Sequence, residues 1–239
     1  MTLDRKFLKY PKRQYGMDHD RYEWSMLNDR KTVTWPNDKK LAFWVNVCLQ
    51  YYPLNQKGEP FVTSGGLTMP YPDLRHYSLR EYGNRIGIYR FLKCFDEYSI
   101  KPTFAMNTRV GERYPYLLDV IKERNEEIIC HGLHMDAIHY GGQDIDEERE
   151  LVSRSLDILR NLSGHDVTGW ISPDRNESEN TPDLLAEHGI QYFCDWVNDD
   201  MPYEFKTKHG NIVAMPLSQE LEDSFIIMNK LTQIQPSLN

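Results

Sequence analysis

Three of the eight histidines in this chain, His131, His134 and His139, fall within nine residues. An imidazole has an unperturbed pKa of about 6.5, which suits proton transfer near neutrality. His131 directly follows a short apolar run, Ile128-Ile129-Cys130, that reads as a buried strand. A polar residue just past the carboxyl end of such a strand faces the ligand crevice of a barrel or doubly wound sheet. Other apolar runs also end on polar or aromatic residues: Gln50, Asn107, Trp170 with Ser172, Asp195 with Trp196, and Ser218. Acid–base chemistry needs a group that can give or take a proton near the working pH. His131 is the strongest acid or base candidate. Asp195 either orients an imidazole, acts as base, or caps backbone amides. The Gln50 amide cannot take up a proton as a base, but it can orient water or a carbonyl. Arg175 either binds an acidic group or lies at the surface, and of the adjacent Asp199 and Asp200 at most one points into a site. Trp170 and Trp196 read as pocket walls or as core.

These residues must be positioned by alternating strands and helices. Strands are predicted at 41–48, 102–106, 128–130, 167–171, 190–194 and 212–215. Helices are predicted at 79–98, 113–124, from Asp144 to about 163, and from Thr181, as N-cap, to Gly189. Gly83 and Gly87 lie inside the first helix, where they permit close packing or mark an irregular turn. The pattern is that of a parallel α/β fold with its site at the strand carboxyl ends. Six strands suit a partial barrel better than a closed one. The Gly- and Pro-rich stretch 53–78 reads as a pocket wall or lid.

At 239 residues and net charge −8, one globular domain is favoured, and nucleic acid or anionic lipid is disfavoured as a partner. No apolar span is long enough to cross a membrane, and no leader-like run opens the chain, so the expectation is a cytoplasmic protein. The four cysteines form no Cys-x-x-Cys pair, which argues against a disulfide framework or a zinc knuckle.

The ordered strand ends resemble those of the NodB-homology polysaccharide deacetylases, a family with a distorted (β/α) barrel. The likeness is strongest to the branch of metal-independent allantoinases and cyclic-imide hydrolases. It rests on Arg80-Glu81-Tyr82-Gly83-Asn84-Arg85, on Glu127 to Gly132, on Gly169 to Pro173 and on Asp195 to Asp200. It implies an α/β fold of the distorted, incomplete barrel type. The implied organisation is an arm over 1–38 that wraps the domain or meets a neighbouring subunit, a deacetylase-like domain over 39–225, and an irregular tail over 226–239. The sequence departs from the family in three places. The paired aspartates of the metal-dependent members are replaced by Val47-Cys48-Leu49-Gln50-Tyr51. Their second histidine ligand, four residues after the first, is Met135. A final strand with a His-Pro motif has no counterpart before Asn239, as if the chain were truncated. A thioether is a poor zinc ligand, so no metal or other cofactor is expected; His131, His134 and His139 are the residues that would hold zinc if any did.

The expected activity is hydrolysis of a non-peptide C–N bond in a small amide, cyclic imide or ureide, or in an acetylated sugar. His131, Asp195 and Gln50 would be catalytic. Asn107, Trp170, Ser172, Arg175, Trp196, Asp199 and Ser218 would contact substrate. The alternative is a catalytically impaired member that binds a ligand or forms a homo-oligomer.

Overall fold

A computed structural model describes residues 19–56, 74–223 and 225–227. Seven strands form one sheet in the order β1-β2-β3-β4-β5-β7-β6. They are β1 (Asn46–Leu49), β2 (Thr103–Met106), β3 (Glu127–Cys130), β4 (Gly169–Trp170), β5 (Tyr192–Phe193), β6 (Tyr203–Thr207) and β7 (Gly210–Ala214). All neighbours are parallel except β6, which runs antiparallel to β7 at one edge. The fold is therefore α/β with a mostly parallel sheet, and among the described residues the sheet stays open, with β1 and β6 as its edges.

The register aligns Leu49, Met106, Cys130, Trp170, Phe193 and Ala214 across the sheet. Side chains alternate faces along a strand, and the packing follows that rule. The aligned row joins Val110, Leu117, Ile121, Val152, Leu156, Leu159 and Leu184 in the main core on the helix-covered side. One step along, Ala105, Ile129, Ile171 and Cys194 form a second, smaller core on the inner side, with Trp44, Tyr192, Met215 and Leu217.

The helices are α1 (Leu74–Tyr82), α2 (Ile88–Tyr98), α3 (Thr108–Arg113), α4 (Pro115–Glu123), α5 (Ile145–Ser163) and α6 (Thr181–Glu187). A π-turn over Gly83–Gly87 joins α1 to α2, and this is the irregularity that the two glycines signalled. The predicted 113–124 helix is α4, opened by Pro115, and the short α3 before it, over Thr108–Arg113, was not anticipated. Asp144 caps α5 by accepting from the Asp146 and Glu147 amides. Thr181 is the first helical residue of α6 rather than its cap; its hydroxyl accepts from the Ser178 amide and donates to Glu148.

Two strands depart from expectation. The apolar run 41–45 is not strand, and Leu41 and Phe43 are exposed. Its natural partner segment begins at Thr103, since Pro102 has no amide to extend the ladder. Strand β6 was not anticipated, although Tyr203 to Thr207 alternates aromatic and charged residues ahead of a two-residue turn.

The arm over its described part, 19–38, lies along β6 and α6. Arg21 makes a bidentate pair with Asp183 and donates to the carbonyls of Lys206 and Glu179. Tyr22 packs edge-on against Trp196 and Tyr203. Most of the 53–78 stretch and of the tail after 225 lies outside the described residues. All four cysteines are free; Cys130 and Cys194 are buried, and Cys48 is exposed because β1 is an edge strand. No helix among the described residues is long and apolar enough to cross a membrane.

Candidate active site

The pleat divides the predicted site residues between the two faces of the sheet. On the inner side, Gln50 follows β1 and His131 follows β3. The Gln50 and His131 Nε2 atoms are 3.1 Å apart, and His131 Nδ1 is 2.9 Å from the Ile171 carbonyl oxygen. That carbonyl can only accept, so Nδ1 carries the proton and Nε2 offers its lone pair to the Gln50 amide. Gln50 Oε1 in turn accepts from the Tyr52 hydroxyl at 3.0 Å. Burial lowers the His131 imidazole to about 4, against the Ile171 bond that favours its charge, with the nearby Arg175 charge lowering it further. His131 is therefore a neutral, weakly basic ring at pH 7. Burial pushes the Tyr52 hydroxyl up to about 12.

A cavity of about 500 Å³ lies against the open edge of β1, bounded by Gln50, Tyr52, Arg80, Asn84, Ile88 and Phe91 among others. Asn84, presented by the π-turn, donates to the Gln50 carbonyl at 2.8 Å. Arg80 stacks 3.7 Å from the centre of the Tyr52 ring. Gln50 stands between this cavity and His131, which is only 2% exposed.

Trp170, Ser172 and Asp195 have the parity of the aligned row and lie on the helix side. Asp195 accepts from the Ser172 amide and hydroxyl, both at 2.8 Å, and Trp170 Nε1 donates to the Ser172 hydroxyl. Burial drives the Asp195 carboxyl up to about 6, against the two Ser172 bonds. Burial and the Asp195 charge hold Glu177 well above the usual carboxylate range. Glu177 also receives Trp196 Nε1 at 2.6 Å. Alongside, fully buried His139 lies 3.1 Å from fully buried Glu148 and edge-on to Trp170. Burial alone would raise Glu148, but His139, Ser178 and Thr181 outweigh it and keep the carboxylate below its usual range.

The two groups are linked through the backbone, since Ile171 fixes His131 and the next residue, Ser172, is held by Asp195. His131, Trp170 and Asp195 are thus connected, but Asp195 and Trp170 face away from His131, so these expected site residues do not converge at one mouth of the sheet. Neither is placed to contact a molecule bound at Gln50, because Trp170 is fully buried and both Asp195 oxygens are taken up by Ser172.

Several other assigned contacts are also displaced. Asn107 accepts from the Tyr51 amide and donates to the His131 carbonyl, so it spends its side chain tying three strand ends together. Trp196 packs against His19 and Phe205 and serves Glu177. Asp199 pairs with Arg30 at 2.6 and 2.7 Å and anchors the arm. Ser218 is exposed and donates to Glu220. Arg175 lies on the inner side, where it donates to the Leu217 carbonyl and approaches Glu222 at 3.4 Å.

The histidines do not form a metal-ligand set. Both His131 nitrogens are engaged, His134 Nδ1 accepts from the Asp136 amide, His139 faces Glu148, and Met135 is buried. Among the described residues no three His, Cys, Asp or Glu side chains are grouped to hold an ion. The residues present therefore do not fit the divalent cation of the metal-dependent relatives.

Tyr52, Arg80, Glu148 and Glu177 were not singled out from sequence. Tyr52 shares the parity of Gln50 two residues on. Glu148 sits four residues before Val152, in the buried stripe of α5, and a carboxylate in an apolar stripe is itself a signal. Glu177 carries no local signal.

Gly132 explains the His-Gly pair. Its φ is +67°, and a Cβ there would sit 2.6 Å from the Pro173 ring. Glycine thus lets the turn after His131 pack directly on the Ser-Pro turn after β4.

Comparison with known proteins finds relatives of this fold. Residues 83–193 match the polysaccharide deacetylase family profile. A peptidoglycan deacetylase of Helicobacter pylori is 26% identical over 124 residues, covering 51% of this chain and 41% of that protein. The solved structure of the allantoinase PuuE superposes with TM-score 0.70 at 24% identity, covering 83% of this chain and 72% of that one. A probable polysaccharide deacetylase from Pseudomonas aeruginosa gives TM-score 0.64 at 26% identity, covering 80% and 65%. The chain spans about half the length of the curated relatives it matches. With a matching profile over residues 83–193 and the fold shared with these solved structures, the chain is similar to the polysaccharide deacetylase (NodB) domain family.

Proposed function

We propose that this protein hydrolyses a non-peptide C–N bond in a small amide, cyclic imide or ureide, without a metal ion. The observation that carries this is the Gln50–His131 pair, a neutral imidazole lone pair and an amide donor 3.1 Å apart beside a cavity of about 500 Å³. Ligand pockets are of this size. A substrate carbonyl at the Gln50 amide would take over its hydrogen bond and release His131 Nε2. The imidazole would then remove a proton from water as the water oxygen attacks the carbonyl carbon. Gln50 would donate to the oxyanion, and the imidazolium would return its proton to the departing nitrogen. A base near 4 is weak at neutral pH, so turnover should be slow and should fall as pH drops through about 4. The relatives' names favour C–N bonds, and a polymer such as peptidoglycan is less suited to a site in which, among the described residues, Gln50 stands between the cavity and His131.

The test is turnover of hydantoin, succinimide, allantoin and N-acetylglucosamine substrates, with and without a chelator. Chelator-resistant release of product is the expected result. Loss of activity with chelator, restored by zinc, would remove the metal-free reading.

A second reading is also supported, because in this conformation the Gln50 amide fills the sole lone pair of His131. The protein would then bind its ligand without turning it over. Gln50→Glu separates the two readings. A silent wild type and an active variant favour the second; an active wild type favours the first.

A further inference from the structure

We infer that Asp195 is a positioning residue for His131, acting across the Ile171–Ser172 peptide group without touching the reacting atoms. His131 is the base on the reading proposed above, and the role given to Asp195 rests on it. The peptide group joining Ile171 to Ser172 is held at both ends. Its carbonyl accepts from His131 Nδ1 at 2.9 Å, and its amide donates to Asp195 Oδ1 at 2.8 Å. A trans peptide is planar and directs its C=O and N–H to opposite sides. His131 and Asp195 therefore grip opposite edges of one rigid plate, and neither bond turns without disturbing the other.

The strand order accounts for this placement. β4 lies between β3 and β5, with the Ile171 amide bonded to the Cys130 carbonyl on one side and the Cys194 amide to the Trp170 carbonyl on the other. Continued parallel ladders would next use the Ile171 carbonyl and the Ser172 amide. Side chains take both places. At Gly132 (φ +67°) the backbone turns, and the His131 ring meets the carbonyl. Asp195, the residue after Cys194, meets the amide. The carboxylate is oriented through its other oxygen, which accepts from the Ser172 hydroxyl, itself held by Trp170 Nε1. Negative charge on Asp195 polarises the peptide group, because hydrogen bonds in a chain strengthen one another. The Ile171 carbonyl becomes a better acceptor, which keeps a proton on Nδ1 and favours the imidazolium formed when Nε2 takes a second one. This acts against the nearby Arg175 charge, which disfavours that imidazolium.

Proton and nitrogen-15 spectra of the His131 ring in the full chain at pH 8 test this. Asp195→Asn keeps an acceptor for the Ser172 amide but removes the charge, and Asp195→Ala removes both. The Nδ1 proton resonance should move upfield in Asp195→Asn and further in Asp195→Ala, with part of the ring population now protonated on Nε2. Ser172→Ala removes the hydroxyl but keeps the amide, so it should leave the Nδ1 proton in place, which a general loosening of the turn would not. On whichever of the hydantoin, succinimide, allantoin and N-acetylglucosamine substrates is turned over, kcat should fall on the order of tenfold in Asp195→Asn with KM little changed. If Asp195→Ala fails to fold by circular dichroism, the comparison of Asp195→Asn with Ser172→Ala still decides. An unmoved Nδ1 proton in Asp195→Asn, or one that moves as far in Ser172→Ala, overturns the inference. The expected spectra without turnover would leave the role of Asp195 standing and remove the hydrolase reading. Turnover with unmoved spectra would do the reverse.

Discussion

The inner-side group of Gln50, Tyr52 and His131 and the helix-side group of Asp195, Glu177, His139 and Glu148 differ in how burial has been met. On the inner side there is no charge to compensate. An amide, a phenol and a neutral imidazole pass hydrogen bonds along one line that opens at Gln50 onto a cavity. On the helix side ionisable groups are buried against one another: both Asp195 oxygens accept from Ser172 and Glu148 accepts from Ser178 and Thr181, while Glu177 Oε1 makes no hydrogen bond among the described residues. A cluster sealed in the core holds structure, whereas a group with an exchangeable bond beside a cavity can bind something. The contrast argues that the family's Asp-Trp and Ser-Pro signatures act here as a frame for the third strand end rather than as reacting groups.

The most forceful way to break this comparison is to remove Glu148. It is fully buried and accepts from the Ser178 and Thr181 hydroxyls beside His139. Glu148→Leu should cost about 3–5 kcal/mol of stability, measured by urea unfolding, because it strands those partners in the interior. A cost below about 1 kcal/mol would mean the helix-side cluster is not structural.

Gly132→Ala should follow at about 3 kcal/mol, combining a left-handed φ with a Cβ driven into the rigid Pro173 ring. Because Gly132 and Pro173 adjoin His131 and Ser172, this one change should disturb both groups. A variant as stable as wild type would show that the two turns can separate freely.

The pH dependence of stability sharpens the contrast, since the two groups push in opposite directions. His131 titrates at about 4 in the folded chain and near 6.5 when unfolded, so the unfolded state binds more protons between those values and stability rises with pH. Asp195 titrates at about 6 folded and near 3.9 unfolded. There the folded state binds more protons, and stability falls as pH climbs from about 4 to 6. Each effect is about 3 kcal/mol, so they largely cancel in the wild type. Asp195→Asn should unmask a rise in stability across that window, and His131→Asn a fall. Equal slopes in both variants would refute the assignment of opposite shifts.

What could be read beforehand follows the range of the forces involved. Alternation of apolar runs and amphipathic helices is local, so the parallel sheet, α5 and the His131 strand end were legible, and Gly83 with Gly87 announced an irregular turn. Facing was not. Asp195 and His131 both follow buried strands, but Asp195 lies two residues beyond the aligned row and His131 one, and only the register between strands reveals that difference. The partners of Asp199 and Asn107 were hidden for the same reason, since Arg30 and Tyr51 reach them from distant parts of the chain. Strand β6 carried a readable alternation that lost out to the apolar runs around it.

The smallest expected effect is the most telling about the inner side. Gln50→Leu removes the donor to His131 Nε2 and the acceptor for Tyr52, yet Gln50 is only partly buried and borders a cavity that water can enter. The cost should be about 1 kcal/mol, well below that of Glu148→Leu, because solvent can replace the lost bonds. Nitrogen-15 spectra of the His131 ring would follow the change directly. The ring should stay neutral with its proton on Nδ1, fixed by the Ile171 carbonyl, while Nε2 loses the shift of an accepted amide bond. A move of the proton to Nε2, or a cost matching that of Glu148→Leu, would show that Gln50 is as structural as the helix-side carboxylates, and the distinction between the two groups would fall.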